Sequence, residues 1–173
     1  MVLVSQTNYL KRYEHWRCPL RAENNMNDFE SNLNELLVDT FNNILKLEES
    51  YIKRFAENPI TVSEAHLLEA IGKQGGNASV SAIAADLGVT MPTATVAIKK
   101  LEGKGFVVKE TCAEDGRKAI ISLTDLGKKV HRTHELFHEI MVRNISKEFA
   151  PSEQDELLKA VKKLNDFFQR KTR

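Results

Sequence analysis

The sequence predicts a mainly α-helical protein with one small β element of two or three strands, and three observations lead there. Apolar residues recur three or four positions apart over long stretches. Eight glycines and four prolines in 173 residues are few against a usual combined share of about 12%, so turns are scarce. Only two runs, Phe106-Val107-Val108 and Ile120-Ile121-Ser122-Leu123, have clear β character, and the polar stretch Ala113-Glu114-Asp115-Gly116-Arg117 between them contains a hairpin glycine.

Composition bounds the class. The chain is 42% apolar and 28% charged, as expected of a globular protein with room for one domain of ordinary size. No apolar run approaches the roughly 18 residues of a membrane span, and the start lacks the apolar core of a signal peptide. Cys18 and Cys112 lie far apart with no C-x-x-C, so neither a disulfide framework nor a cysteine zinc site is readable. These features predict a soluble cytoplasmic protein without a membrane partner. With 25 Lys/Arg against 24 Asp/Glu, any nucleic acid would have to be met by a local basic surface.

Residues 1–25 scatter Tyr9, Tyr13, Trp16 and Pro19 among polar residues without a period. They are expected to be either a poorly ordered extension or the product of an upstream mis-start before Met26, and in both cases to add nothing to a core. From Phe29, the apolar positions Leu33, Leu36, Leu37, Phe41, Ile44, Leu45, Ile52 and Phe55 define an amphipathic helix over 29–57, ended by Asn58 and Pro59. Thr61 and Glu64 stand at capping-box spacing ahead of Leu67, Leu68 and Ile71, and Gln74-Gly75-Gly76-Asn77 closes this second helix. Ser79 to Leu87 reads as a short alanine-rich helix and Gly88-Val89 as a tight break. Thr90 is the N-cap of a helix running to Glu102, with Pro92 in its first turn. Gly103 and Gly105 stop it before the two strands, which form a wing. Thr124 caps a fifth helix to about Lys147, and Ala150-Pro151-Ser152 introduces a sixth bearing Leu157, Leu158, Val161, Leu164, Phe167 and Phe168. Residues 60–123 are thus expected to form one winged helix-turn-helix domain, with 29–57 and 124–170 forming a separate helical region.

This order resembles the MarR family of winged-helix transcription regulators over roughly Phe29 to Arg170. Three linked pieces carry the likeness: Leu101-Glu102-Gly103-Lys104-Gly105-Phe106-Val107, then Asp115-Gly116-Arg117, then Ser122-Leu123-Thr124-Asp125-Leu126-Gly127. The resemblance implies a homodimeric, DNA-binding regulator. Two apolar helical stripes beside a small winged-helix core point the same way, because exposed stripes need a partner. A two-fold dimer would set two reading helices about one turn of DNA apart on a near-palindromic operator.

A capped helix beside a short positioning helix is also the physical arrangement that enters a major groove. Ala94, Ala97, Ile98 and Leu101 share its inward face. Thr90 at the cap, with Pro92, Thr93, Thr95, Val96, Lys99 and Lys100, is left for DNA: threonine hydroxyls and methyls for base edges, lysines for phosphates. At Val96 the family often carries a larger polar or basic residue, so methyl contacts and DNA shape would do more of the discrimination. In the wing, the resemblance implies that Asp115 orients Arg117 into a minor groove, with Lys118 and Lys109 on phosphates. Between Lys99 and Lys118 the basic surplus over acidic residues is only two.

Four histidines bear on a ligand. His131, His134 and His138 fall at i, i+3 and i+7 on one helix face beside Glu135 and Glu139, and could converge with His66 and with Glu48 or Glu49 on zinc. Some members of the family are zinc sensors with ligands from these helices. A packed or hydrogen-bonded helix face is the plainer alternative. The segments Phe41-Asn42-Asn43-Ile44-Leu45 with Glu48-Glu49, Ile60 to His66, and His131 to Val142 resemble the FabT-like branch, whose members repress fatty-acid synthesis genes and bind DNA better with long-chain acyl–acyl carrier protein. That likeness implies an acyl pocket with Ile44, Leu45, Phe137 and Met141 as linings and His66, His134 and His138 as its polar markers. Lys128, Lys129 and Arg132 would then meet an acidic carrier. No further cofactor is called for. No nucleophile elbow, phosphate loop or dinucleotide fingerprint occurs, so an enzyme is not expected. A winged helix that binds only protein is the rival class.

Overall fold

The computed structural model describes residues 26–55, 59–111 and 119–172. In chain order the elements are α1 (Asp28–Phe55), α2 (Val62–Gly72), β1 (Asn77–Ser79), α3 (Val80–Asp86), α4 (Met91–Gly103), β2 (Val107–Thr111), β3 (Ala119–Leu123), α5 (Asp125–Ile145), a 3₁₀ turn (Ser146–Glu148) and α6 (Pro151–Thr172). The expected mainly α chain with a small β element is what forms. Among the described residues, no single helix is long and apolar enough to cross a membrane.

Local chemistry accounts for the boundaries. Asn27 and Glu30 cap α1 reciprocally, side chain to backbone amide, at 2.9 Å each. Thr61 and Glu64 do the same for α2, at 3.3 and 2.9 Å. Thr90 accepts the Thr93 amide at the head of α4, and Gly88 takes φ +62° in the turn before it. Thr124 accepts the Gly127 amide at 3.1 Å and donates its hydroxyl to the Gly105 carbonyl at 2.8 Å, fastening the start of α5 to the end of the α4 turn.

The chain divides into two compact units, Leu37–Asn144 and the two terminal segments Met1–Leu36 and Ile145–Arg173. α1 begins in the terminal unit and runs on into Leu37–Asn144. Within Leu37–Asn144 the sheet has the order β1-β3-β2, both pairs antiparallel. The register runs from Val107 opposite Leu123 to Thr111 opposite Ala119, with Ala78 opposite Ile121. The β element, expected to have two or three strands, has three, and the third is the short β1 between the Gly75-Gly76 turn and α3. One core gathers Ile52 of α1, Leu67, Leu68 and Ile71 of α2, Ile83 of α3, Ile98 and Leu101 of α4, Phe106, Ile121 and Val130.

In the terminal unit, none of the described residues is buried. Phe29, Leu36 and Leu158 are 71%, 65% and 68% exposed, so its apolar stripes are open in the single chain.

Candidate DNA-reading face and glutamate–histidine cluster

The chain bends by 107° between α3 and α4 across residues 87–90, which is the angle and turn length of a helix-turn-helix. Burial of Ala94, Ile98 and Leu101 fixes the rotation of α4 and leaves Pro92, Thr93, Thr95, Val96, Lys99 and Lys100 exposed, as the sequence predicted; Ala97 is half-buried. Two of these groups are less free than the sequence implies. Thr95 turns its hydroxyl onto the Met91 carbonyl at 2.8 Å, and Thr90 and Thr93 pair their hydroxyls at 2.8 Å.

Lys100, expected on phosphate, is held by Glu64 at 2.9 Å, and Lys104 binds the same carboxylate at 2.8 Å while also donating to the Pro59 carbonyl. Burial raises the Glu64 pKa, but the hydrogen bonds from Lys104, the Thr61 amide and Lys100 outweigh it and hold the carboxyl at about 2. This triad ties α2 to the end of α4 and was not read from sequence, since Glu64 was assigned only its capping role. Lys109 is exposed on β2; Asp115, Arg117 and Lys118 lie outside the described residues.

The second feature sits where α1, α2 and α5 meet within the Leu37–Asn144 unit. Glu48, 2% exposed, receives His134 Nε2 at 2.5 Å and His66 Nε2 at 2.9 Å on the same oxygen, and His138 Nε2 lies 3.2 Å from His134 Nε2. Ligand atoms of these four side chains all lie within 4.8 Å of one another. Three imidazole nitrogens and one carboxylate oxygen at such spacing match the donor set of a four-coordinate zinc site. His134 is completely buried, and its Nδ1 faces Glu69 Oε2 at 3.3 Å without the alignment of a hydrogen bond. Burial, with the neighbouring charges of His134 and His66, pushes His138 below the ordinary histidine value against the pull of Glu48 and Glu69. Its ring is thereby held neutral, the form that ligates. Burial raises Glu69, but its bond to Lys73 at 3.0 Å and the charges of Lys73, His134 and His138 bring it below the usual carboxylate value.

Of the α5 residues expected in the metal set, His131 and Glu135 stand outside this cluster. His131 turns from the cluster to pack on Gly72, where a Cβ would lie 2.2 Å from its ring, and its near neighbour Glu135 stands 3.6 Å from its Nε2. Of the two acidic candidates on α1, Glu48 enters the cluster and Glu49 pairs with Lys53 at 2.8 Å.

The residues expected to line an acyl pocket are mixed. Ile44 and Met141 are half-buried, Leu45 is 48% exposed, and Phe137 is buried with its ring against Tyr51 and His138. A cavity of about 630 Å³ opens elsewhere, lined by Glu49, Lys53, Pro59 to Ser63 and Lys104, and none of the expected linings borders it. Lys128, Lys129 and Arg132 are exposed; Lys128 sits 3.3 Å from Asp125.

Comparison with known proteins bears on the DNA-reading face. The MarR family model matches residues 60–119. Streptococcus pneumoniae FabT, solved in complex with DNA, is 30% identical with a TM-score of 0.77, the match covering 81% of this chain and 97% of FabT. The chain belongs to the MarR family. It is a DNA-binding transcriptional regulator of that family. AbsC, a MarR family regulator from Streptomyces coelicolor, shares the fold at 20% identity and a TM-score of 0.67, over 83% of this chain and 97% of AbsC. The S. aureus MepR–DNA complex does so at 20% identity and 0.64, over 79% and 97%. By sequence, the HTH-type transcriptional regulator YhjH of Bacillus subtilis is 24% identical over 121 residues, 70% of this chain and 69% of YhjH.

Proposed function

We propose that this MarR-family regulator is a homodimeric repressor of fatty-acid and membrane-lipid synthesis genes that binds a near-palindromic operator, with long-chain acyl–acyl carrier protein as its corepressor. The observation that carries this reading is the 30% identity to FabT along 97% of FabT's length, which adds to the motif resemblance across α1, α2 and α5. The open apolar stripes of α1 and α6 support pairing of two copies. Arg117 is the proposed minor-groove contact, with α4 in the major groove. A ligand acts here only through unequal affinity for two arrangements of the reading heads. At the junction of α1, α2 and α5 the Phe137 ring lies against His138 of the polar quartet, and an acyl chain seated there would bias those helices.

A second reading is favoured by the quartet itself: a zinc-responsive repressor. Glu48, His66, His134 and His138 would hold the ion, and bound zinc would supply a cross-link between α1, α2 and α5 that stabilises one arrangement by mass action.

One titration separates the two. Anisotropy of labelled DNA from the gene's own upstream region is followed in chelator, with bare carrier protein, with the long-chain acylated carrier, and with zinc. Tightening by the acylated carrier alone supports the lipid reading. Tightening by zinc alone, lost in His134→Ala, replaces it with the metal reading. Binding in every arm should weaken steeply with salt, as phosphate contacts require, and a flat salt response would contradict DNA reading by this face.

A further inference from the structure

The outward face of α4 presents methyl groups where a reading helix commonly presents hydrogen-bonding groups. Val96, near its middle, is 71% exposed and has neither donor nor acceptor in its side chain. Beside it Thr95 has committed its hydroxyl hydrogen to the Met91 carbonyl at 2.8 Å, so the branch left for solvent is its methyl. At the head of the helix the Thr90 and Thr93 hydroxyls are bonded to each other, and Thr90 also accepts the Thr93 amide. At the far end Lys100 is drawn aside by Glu64. Thr95 and Lys100 are thus engaged within the protein before DNA arrives, which leaves the exposed Lys99 and one hydroxyl hydrogen of the Thr90–Thr93 pair as the polar reach around Val96.

In the major groove only one base edge offers an apolar group, the C5-methyl of thymine. Cytosine carries only C5–H at the same place, so the apolar contact with Val96 is lost there. We propose that Val96, assisted by the Thr95 methyl, is the specificity-determining contact of α4, and that it selects thymine by packing on its C5-methyl. This rests on the DNA-reading activity of the family and on neither ligand.

The test uses the full-length protein and a duplex enriched by it from a randomised library. Each thymine is replaced in turn by deoxyuridine, which removes the C5-methyl and keeps the Watson–Crick pairing. At one thymine position of the recognition sequence, wild-type affinity should fall about fourfold, the effect of one buried methyl. Val96→Ala should bind the thymine duplex more weakly and lose most of that sensitivity. Its melting temperature should match the wild type, because the side chain it loses is solvent-exposed. The inference is overturned if no thymine position responds in the wild type. It is equally overturned if Val96→Ala keeps the full deoxyuridine penalty, since Val96 would then act on the helix and not on the base.

Discussion

The two compact units treat their apolar residues in opposite ways. Between Leu37 and Asn144, short elements close around Leu68, Ile71, Leu101, Phe106 and Ile121, each with no exposed surface. In the terminal unit, α6 and the first residues of α1 bury none of their described residues. Periodicity says that a helix has an apolar face, and it is silent about what covers that face. A self-contained core suits a reading head that must stay rigid against DNA; uncovered stripes suit surfaces that another chain completes.

The contrast is sharpened by substitutions graded from the core outward. Phe106→Ala empties the centre of the winged-helix core and should cost about 3–5 kcal/mol in denaturant unfolding; a loss under 1 kcal/mol would mean that the unit tolerates a cavity its packing does not suggest. Next comes the Glu64 triad. Its carboxyl is held at about 2 against an ordinary 4.5, so its stabilisation is complete above about pH 4.5 and is lost as pH falls toward 2. Glu64→Gln should cost on the order of 2–3 kcal/mol at neutral pH, discounted for its exposed lysine partners, and should flatten the acid limb of the stability profile. If the variant and wild type keep parallel pH profiles, the triad contributes no such linkage.

Gly127→Ala probes the fastening of α5. An added Cβ would lie 2.1 Å from the Phe106 carbonyl oxygen, and the shift needed should destabilise by about 1–3 kcal/mol; an unchanged melting temperature would show that α5 can slide away without loss. The smallest effect on folding is expected in the terminal unit. Leu36→Asp with Leu158→Asp should leave the winged-helix unit folded, within about 0.5 kcal/mol, yet halve the mass seen in sedimentation. A particle of unchanged mass would reject pairing through these stripes and erase the functional side of the contrast.

Most of the fold was legible because its punctuation is local. The Thr61–Glu64 capping box, the Thr90 cap with Pro92, the Gly88 break and the Thr124 cap each act within a few residues, and each formed as expected. A third strand was allowed for but could not be placed, since Asn77-Ala78-Ser79 has no β-prone alternation and becomes a strand only by pairing with Ile120 to Ser122. The quartet of Glu48 and three histidines was half legible. The spacing of His134 and His138 on one helix face could be counted, but His131 shares that face too, and only the close approach of Gly72 turns it aside.

By itself, then, the sequence determined the helices, their caps, the inward face of α4 and the family to which the chain belongs, because these depend on residues near one another along the chain. The tertiary structure alone decided which distant charges meet: that Glu64 engages Lys100 and Lys104, and that Glu48, 86 residues from His134, closes the cluster. Such pairings are set by how helices pack, and helix packing is a property of faces in space that no local spacing encodes.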